Sequence, residues 1–182
     1  MKIVGLDLSL TSTGIAEWED GARRSWTFGS KGKLGATIAQ RAARLNDVRE
    51  EVVHAVLRGH QQADLALVEA HSFAAKGGQQ HDRSGLWWLI VDDLVAAGVP
   101  VVEASPSSIK LFATGKGNAG KDDVLLAVAR RHPDFEFTTN DEADAITLVD
   151  MALARWSHDH FEPTAYQQRA IEKVVWPDGK WW

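Results

Sequence analysis

The sequence predicts an α/β protein, a five-stranded mixed sheet flanked by helices on both faces. Three observations carry this. Three strand-like segments lie close together between residues 2 and 28, near enough for an antiparallel meander. From there to residue 157, helical and strand-like segments alternate. The first segment, Lys2-Ile-Val-Gly-Leu-Asp-Leu-Ser-Leu10, is mostly apolar on both faces, as a covered central strand must be.

Residues 2–10 read as the first strand, with Val4, Leu6, Leu8 and Leu10 on one face and Ile3, Gly5, Asp7 and Ser9 on the other. Residues 13–18 form the second, and a turn at Glu19-Asp20-Gly21 leads to the third, 24–28. The loop 29–35 is rich in glycine and lysine. Residues 36–57 carry helical periodicity through Ile38, Leu45, Val48, Val52 and Val56, and the helix ends at Gly59. Residues 64–70 form a short buried strand with Leu65, Leu67 and Glu69 on one face. The polar stretch 71–82 reads as a loop, 86–97 as a helix closed by Gly98, and 99–104 as the fifth strand. A short helix follows over 106–112, with Ser105 as cap and Pro106 at its first position. Residues 121–131 and 141–157 are the last clear helices, the second capped by Thr139 or Asn140. The expected organisation is one domain over 1–158 and a tail, 159–182, of unassigned structure and role.

Asp7 is the only charge inside its apolar strand. A buried carboxylate is costly without a partner. A divalent cation is one such partner, and a cap on a nearby loop is the ordinary alternative. Glu69 ends its own strand, so it falls beside Asp7 if the two strands are neighbours. Asp141 and Asp144 are three apart on a helix and share a face, whereas Glu142 is turned away. Acids in a first helical turn are ordinary capping. Joined by Asp7 and Glu69, they make four carboxylates from three elements. Two divalent ions about 4 Å apart relieve such crowding and suit in-line displacement at phosphorus. All-oxygen ligation favours Mg²⁺ or Mn²⁺ over zinc.

The totals narrow the classes. With no cysteine, disulfides and thiolate metal sites are excluded. No stretch approaches the roughly 20 apolar residues of a membrane span. Asp7 interrupts what would be a signal-peptide core, so a cytoplasmic protein is expected. The net charge of −5 argues mildly against nucleic acid, but residues 104–121 hold Lys110, Lys116 and Lys121 and no acidic residue.

The stretch Gly5-Leu-Asp-Leu-Ser-Leu-Thr-Ser-Thr-Gly14, the strand ending Leu-Val-Glu69, the segment Pro106-Ser-Ser-Ile-Lys110 with Thr-Gly-Lys-Gly-Asn-Ala-Gly-Lys121, and the helix start Asp141-Glu-Ala-Asp144-Ala occur in an order that resembles the RuvC-type Holliday junction resolvases. These belong to the RNase H-like (retroviral integrase) superfamily. The resemblance spans roughly residues 1–157. It implies that Asp7, Glu69, Asp141 and Asp144 are catalytic acids binding two Mg²⁺ or Mn²⁺ ions, and that Lys110 and Lys121 face DNA, with Lys116 in a basic loop between them. It implies a wedge aromatic after Glu69, for which Phe73 is the candidate although displaced by one residue. It further implies a homodimer through helix 86–97, acting on branched DNA and leaving 5′-phosphate ends. The first loop, Leu8-Ser-Leu-Thr-Ser12, departs from the family's Pro-Gly version, and the compact chain with divergent loops fits a phage origin. Because the loops that select substrate shape diverge, a broader flap or branched-DNA nuclease and a non-catalytic junction-binding protein stay open.

Other features weigh less. Lys116-Gly-Asn-Ala-Gly-Lys121 lacks the Gly-Lys-Ser/Thr ending of a P-loop. The Asp7 to Gly14 stretch resembles the phosphate loop of actin-like ATPases, but 182 residues cannot hold the second domain those need. His158 and His160 diverge near a helix end, and His71 and His81 lie in a polar loop, where solvated roles are usual. Trp87 and Trp88 point about 100° apart on a helix, so one suits the core and the other a partner.

Overall fold

The computed structural model describes residues 1–57, 61–71, 80–157 and 159–178. Five strands, β1 (Lys2–Asp7), β2 (Thr13–Glu19), β3 (Ala22–Phe28), β4 (Leu65–Glu69) and β5 (Val101–Ala104), form one sheet in the order β3-β2-β1-β4-β5. β1 to β3 make the antiparallel meander, and β4 and β5 add in parallel. The tight β2–β3 turn places Asp20 and Gly21 at φ 47° and 94°, the left-handed pair that two-residue hairpins require.

Alternation along β1 divides the core. Val4 and Leu6 face α1 (Ile38–Leu57) and α2 (Gln80–Ala96), packing with Val48, Val52, Ile90 and Leu94. Ile3 faces the other layer, formed by α3 (Pro106–Thr114), α4 (Lys121–Arg131), α5 (Asn140–Trp156) and α6 (Ala165–Ile171). The five-stranded mixed sheet with helices on both faces is therefore as the sequence predicts. Lys2 is buried at the start of β1. Its ammonium donates to the Ala55 and Gln61 carbonyls at 2.7 and 3.3 Å and pairs with Glu17 at 3.2 Å.

Three elements differ from expectation. β1 stops at Asp7 rather than residue 10, because Thr13 draws the chain into a turn, its Oγ1 accepting from the Ser9 amide at 3.0 Å. α2 begins at Gln80, six residues before the expected start. Its first turns are polar and show no apolar period; they are held instead by Asp82, which accepts from Arg41 of α1 at 3.0 Å. The tail contains α6, whose Ala170 and Ile171 are buried in the same core as Ile3. Beyond it, Trp176 meets Trp156 edge to face at 4.7 Å. No helix among the described residues is long and apolar enough to cross a membrane.

Candidate active site

The site forms where α5 is pressed against the sheet. Two glycines allow the approach. A Cβ on Gly5 would lie 2.2 Å from the Ala145 carbonyl oxygen, and one on Gly14 would lie 2.0 Å from that of Asp141. Neither space exists for any side chain, so β1 and β2 meet the first turns of α5 backbone to backbone. The helix start is itself fixed by a capping box. The Thr139 hydroxyl accepts from the Glu142 amide at 3.1 Å, while the Glu142 carboxylate accepts from Thr139 and, at 3.0 Å, from Ser25 of β3. Glu142 thus points away from the site, as its helical phase predicts.

Register does the rest. Asp7 is the last residue of β1, paired with Gly14, and Glu69 is the last of the adjacent β4. Asp144 reaches them from α5. One carboxylate oxygen from each of Asp7, Glu69 and Asp144 lies within 4.8 Å of the others. Asp141 lines the same cleft but is turned aside. It accepts a 2.5 Å hydrogen bond from the Ser12 hydroxyl and stands 3.7 Å from the Lys121 ammonium.

The electrostatics are those of uncompensated negative charge. Burial, then the neighbouring acids, push the Asp7 carboxyl well above its ordinary range. Burial and Asp144 raise Glu69 from 4.5 to about 7. Burial and Asp141 raise Asp144 from 3.8 to about 6. Lys121 opposes the shift in all three, and Lys110 in Glu69 and Asp144, but two lysines do not cancel it. Donors that are all carboxylate oxygens, crowded and short of positive charge, fit hard divalent cations.

Around the acids lies a cavity of about 240 Å³, lined also by Ser9, His71, Arg83, Trp87 and Lys121. A smaller one of about 120 Å³ opens beside Lys110 and Lys121. Trp87 is half-buried and donates from Nε1 to the Glu69 carbonyl at 3.0 Å, whereas Trp88 is 64% exposed. His71 Nε2 lies 3.0 Å from the Ser84 hydroxyl. Lys116 is placed apart from the acids, beside Thr114, Arg130 and Tyr166. His160 packs on Trp18 with ring centroids 4.9 Å apart. Phe73 and His158 lie outside the described residues.

Sequence reasoning missed Ser12, Arg83 and the two packing glycines. The glycines had a readable signal, since glycine inside a strand marks a close backbone approach. Ser12 and Arg83 had none, because their relation to the acids is purely tertiary.

No family model matches the chain. Among curated proteins it is 30% identical over 155 residues to the crossover junction endodeoxyribonuclease RuvC of Rhizobium johnstonii, covering 82% of this chain and 87% of that protein. It is 29% identical over 163 residues to the enzyme of the same name from a Synechococcus species, covering 86% and 98%. The fold matches Thermus thermophilus RuvC with a TM-score of 0.63 at 20% identity, covering 90% of this chain and all of that one. It matches the same organism's RuvC in complex with a Holliday junction substrate at 0.64 and 18%, covering 86% and 96%. The chain belongs to the RuvC family of crossover junction endodeoxyribonucleases.

Proposed function

We propose that this chain resolves Holliday junctions, hydrolysing phosphodiesters in branched DNA and leaving 5′-phosphate and 3′-hydroxyl ends. The observation that carries the reading is the convergence of Asp7, Glu69 and Asp144 within 4.8 Å, with Lys110 and Lys121 beside them. Asp7, Glu69, Asp141 and Asp144 would hold two Mg²⁺ or Mn²⁺ ions. When bound, such ions polarise the scissile phosphate and lower the pKa of the attacking water.

The chain's own residues fix the geometry. The ends of β1 and β4 hold Asp7 and Glu69 side by side on a rigid sheet. The Ser12 hydroxyl orients Asp141. Lys121 and Lys110 offset part of the acids' charge and offer ammonium groups to the DNA backbone without reading bases. Half-burial at the cleft floor limits water, which strengthens these interactions.

Paired cuts on opposite strands need two sites related by two-fold symmetry, so the active species is a homodimer. Trp88, Leu89 and Val95 leave α2 with an exposed apolar face suited to that contact. The setting is the cytoplasm of a bacterial or phage-infected cell.

The test is incubation of four-way junction, flap and linear duplex DNA with and without Mg²⁺. Mg²⁺-dependent paired cutting of the junction alone is the expected result. Equal cutting of flaps would replace the resolvase reading with a broader nuclease. Shape-selective binding without cleavage would replace it with a binding module.

A further inference from the structure

Resting on the reading of this chain as a junction-cutting nuclease, we infer that the loop between β3 and α1 is a second DNA contact, with Lys31 and Lys33 gripping the backbone of a duplex arm. The loop leaves the sheet at the end where Asp7 and Glu69 lie, since β3 runs parallel to β1. It does so at the opposite edge from β5 and the Lys110-bearing α3. Two interstrand spacings separate β3 from β1 and three separate it from β4, the strands that end at Asp7 and Glu69, on the order of 10 to 14 Å. At 3.4 Å per nucleotide along one strand, that is about three to four nucleotides. The loop therefore meets DNA a few nucleotides from the scissile phosphate.

The backbone of this loop is held while its cations are presented. The Ser30 amide donates to the Leu10 carbonyl at 2.9 Å. Arg44 donates to the Ser30 carbonyl at 2.8 Å and to that of Leu10 at 3.3 Å. Gly29 sits so close to Thr11 that a Cβ would lie 2.3 Å from its carbonyl. At the far end Thr37 and Gln40 exchange hydrogen bonds, at 2.9 and 3.3 Å, that fix the start of α1. Arg41 is taken up by Asp82 and Arg44 by these carbonyls. Lys31 and Lys33 are exposed and have no ion-pair partner among the described residues. They border a groove of about 710 Å³.

Leu34 directly follows Lys33, wholly exposed, with Ile38 82% exposed four residues on. An apolar side chain next to two lysines matches a nucleic-acid groove, where phosphates meet the cations and sugar or base surface meets the apolar group. In a chain of net charge −5, a loop anchored at both ends that presents two lysines without ion-pair partners and no acid of its own favours a polyanion, although Asp47 and the Arg41-bound Asp82 also line the groove.

The test is junction affinity across a salt series for wild type, K31A/K33A and K31E/K33E, each checked for folding by circular dichroism, with wild-type Mg²⁺-dependent cleavage measured in parallel. Two lost phosphate contacts should flatten the slope of log affinity against log salt by about 1.8 units in K31A/K33A. Charge reversal should weaken binding further. A wild type that binds and cleaves, with the slope unchanged in both variants, overturns the loop contact alone. A wild type that neither binds nor cleaves the junction overturns the function and this inference with it. If L34S abolishes dimers in sedimentation while junction affinity and salt slope stay as in wild type, the loop belongs to a second copy and the inference falls.

Discussion

One helix, α5, carries two buried-carboxylate sites with opposite solutions. Near its start, Asp144 joins Asp7 and Glu69, and all three carboxyls are shifted upward. Two turns later, Asp150 has a fully buried side chain, yet its carboxyl is held below the ordinary range. The difference is the partners. Asp150 accepts from His132 at 2.8 Å and pairs with Arg23 at 2.9 Å and Arg131 at 3.3 Å. Those partners come from β3 and α4, so the cluster ties three elements together. Arg131 also donates to the Ala113 carbonyl at 2.9 Å and lies over the Phe112 ring. One carboxylate has its charge offset by the protein's own cations and serves the fold. The other three are left short of charge, which makes sense where cations arrive from solution.

The largest effect expected from this contrast is on cleavage. Asp7→Asn keeps the shape and removes a charged ligand, so Mg²⁺-dependent junction cutting should be abolished while junction binding survives in gel shifts. Glu69→Gln and Asp144→Asn should do the same. Glu142→Gln, in the cap, should not act on the chemistry. A cutting rate above about a tenth of wild type would remove the altered residue from the catalytic set, since a ligand lost from a metal-assisted displacement costs several kcal/mol.

Asp150→Ala should act on stability instead. Leaving two half-buried arginines without their carboxylate costs up to about 3 kcal/mol, below the value for a fully buried pair. Chemical denaturation would read this directly, and the surviving folded fraction should still cut junctions. A loss under about 1 kcal/mol would show that the cluster is solvated in solution rather than sealed.

A smaller effect is expected from Lys110→Ala and Lys121→Ala. Each should lower junction affinity for all sequences alike and flatten the salt slope by about 0.9 units. Ser12→Ala should be milder still. It frees Asp141 from one hydrogen bond, so the Mg²⁺ concentration for half-maximal cutting should rise, with little change in the rate at saturating metal. An unchanged metal requirement would mean that Asp141 needs no such support.

How far the sequence revealed these two regions depended on what each rests on. The acids of the cleft were legible because strand alternation and helix phase are local. Asp7 stood out as a lone charge in an apolar strand, and Asp141 and Asp144 shared a face by spacing. That Glu69 falls beside Asp7 was only conditional in the sequence; the parallel pairing of β4 with β1 supplies it. Asp150 was invisible: one acid in a long amphipathic helix looks solvated until the fold brings Arg23 and Arg131 to it. The early start of α2 was hidden for a similar reason. Its first turns have no apolar period and are held by a bond to α1. The tail offered no periodicity to read, and its short α6 is defined by burial against the α3 layer.

The central claim is that burial and mutual repulsion oppose ionisation of Asp7, Glu69 and Asp144, and that cations relieve this. Its most direct test is thermal stability across pH 4–8, with and without Mg²⁺. Because burial raises Glu69 to about 7 and Asp144 to about 6, the metal-free folded protein holds protons that the unfolded chain has already lost. Stability of the metal-free protein should therefore fall as pH rises from about 4 to 7. The Asp150 cluster works in the other sense: its carboxyl is depressed, so its contribution is present at these pH values and is lost only in stronger acid. Mg²⁺ should raise the melting temperature, increasingly so toward pH 8, and an Asp7→Asn/Glu69→Gln double variant should lose both the Mg²⁺ effect and most of the decline. A wild-type melting temperature that neither falls over this range without metal nor rises with Mg²⁺ at pH 8 would contradict the account.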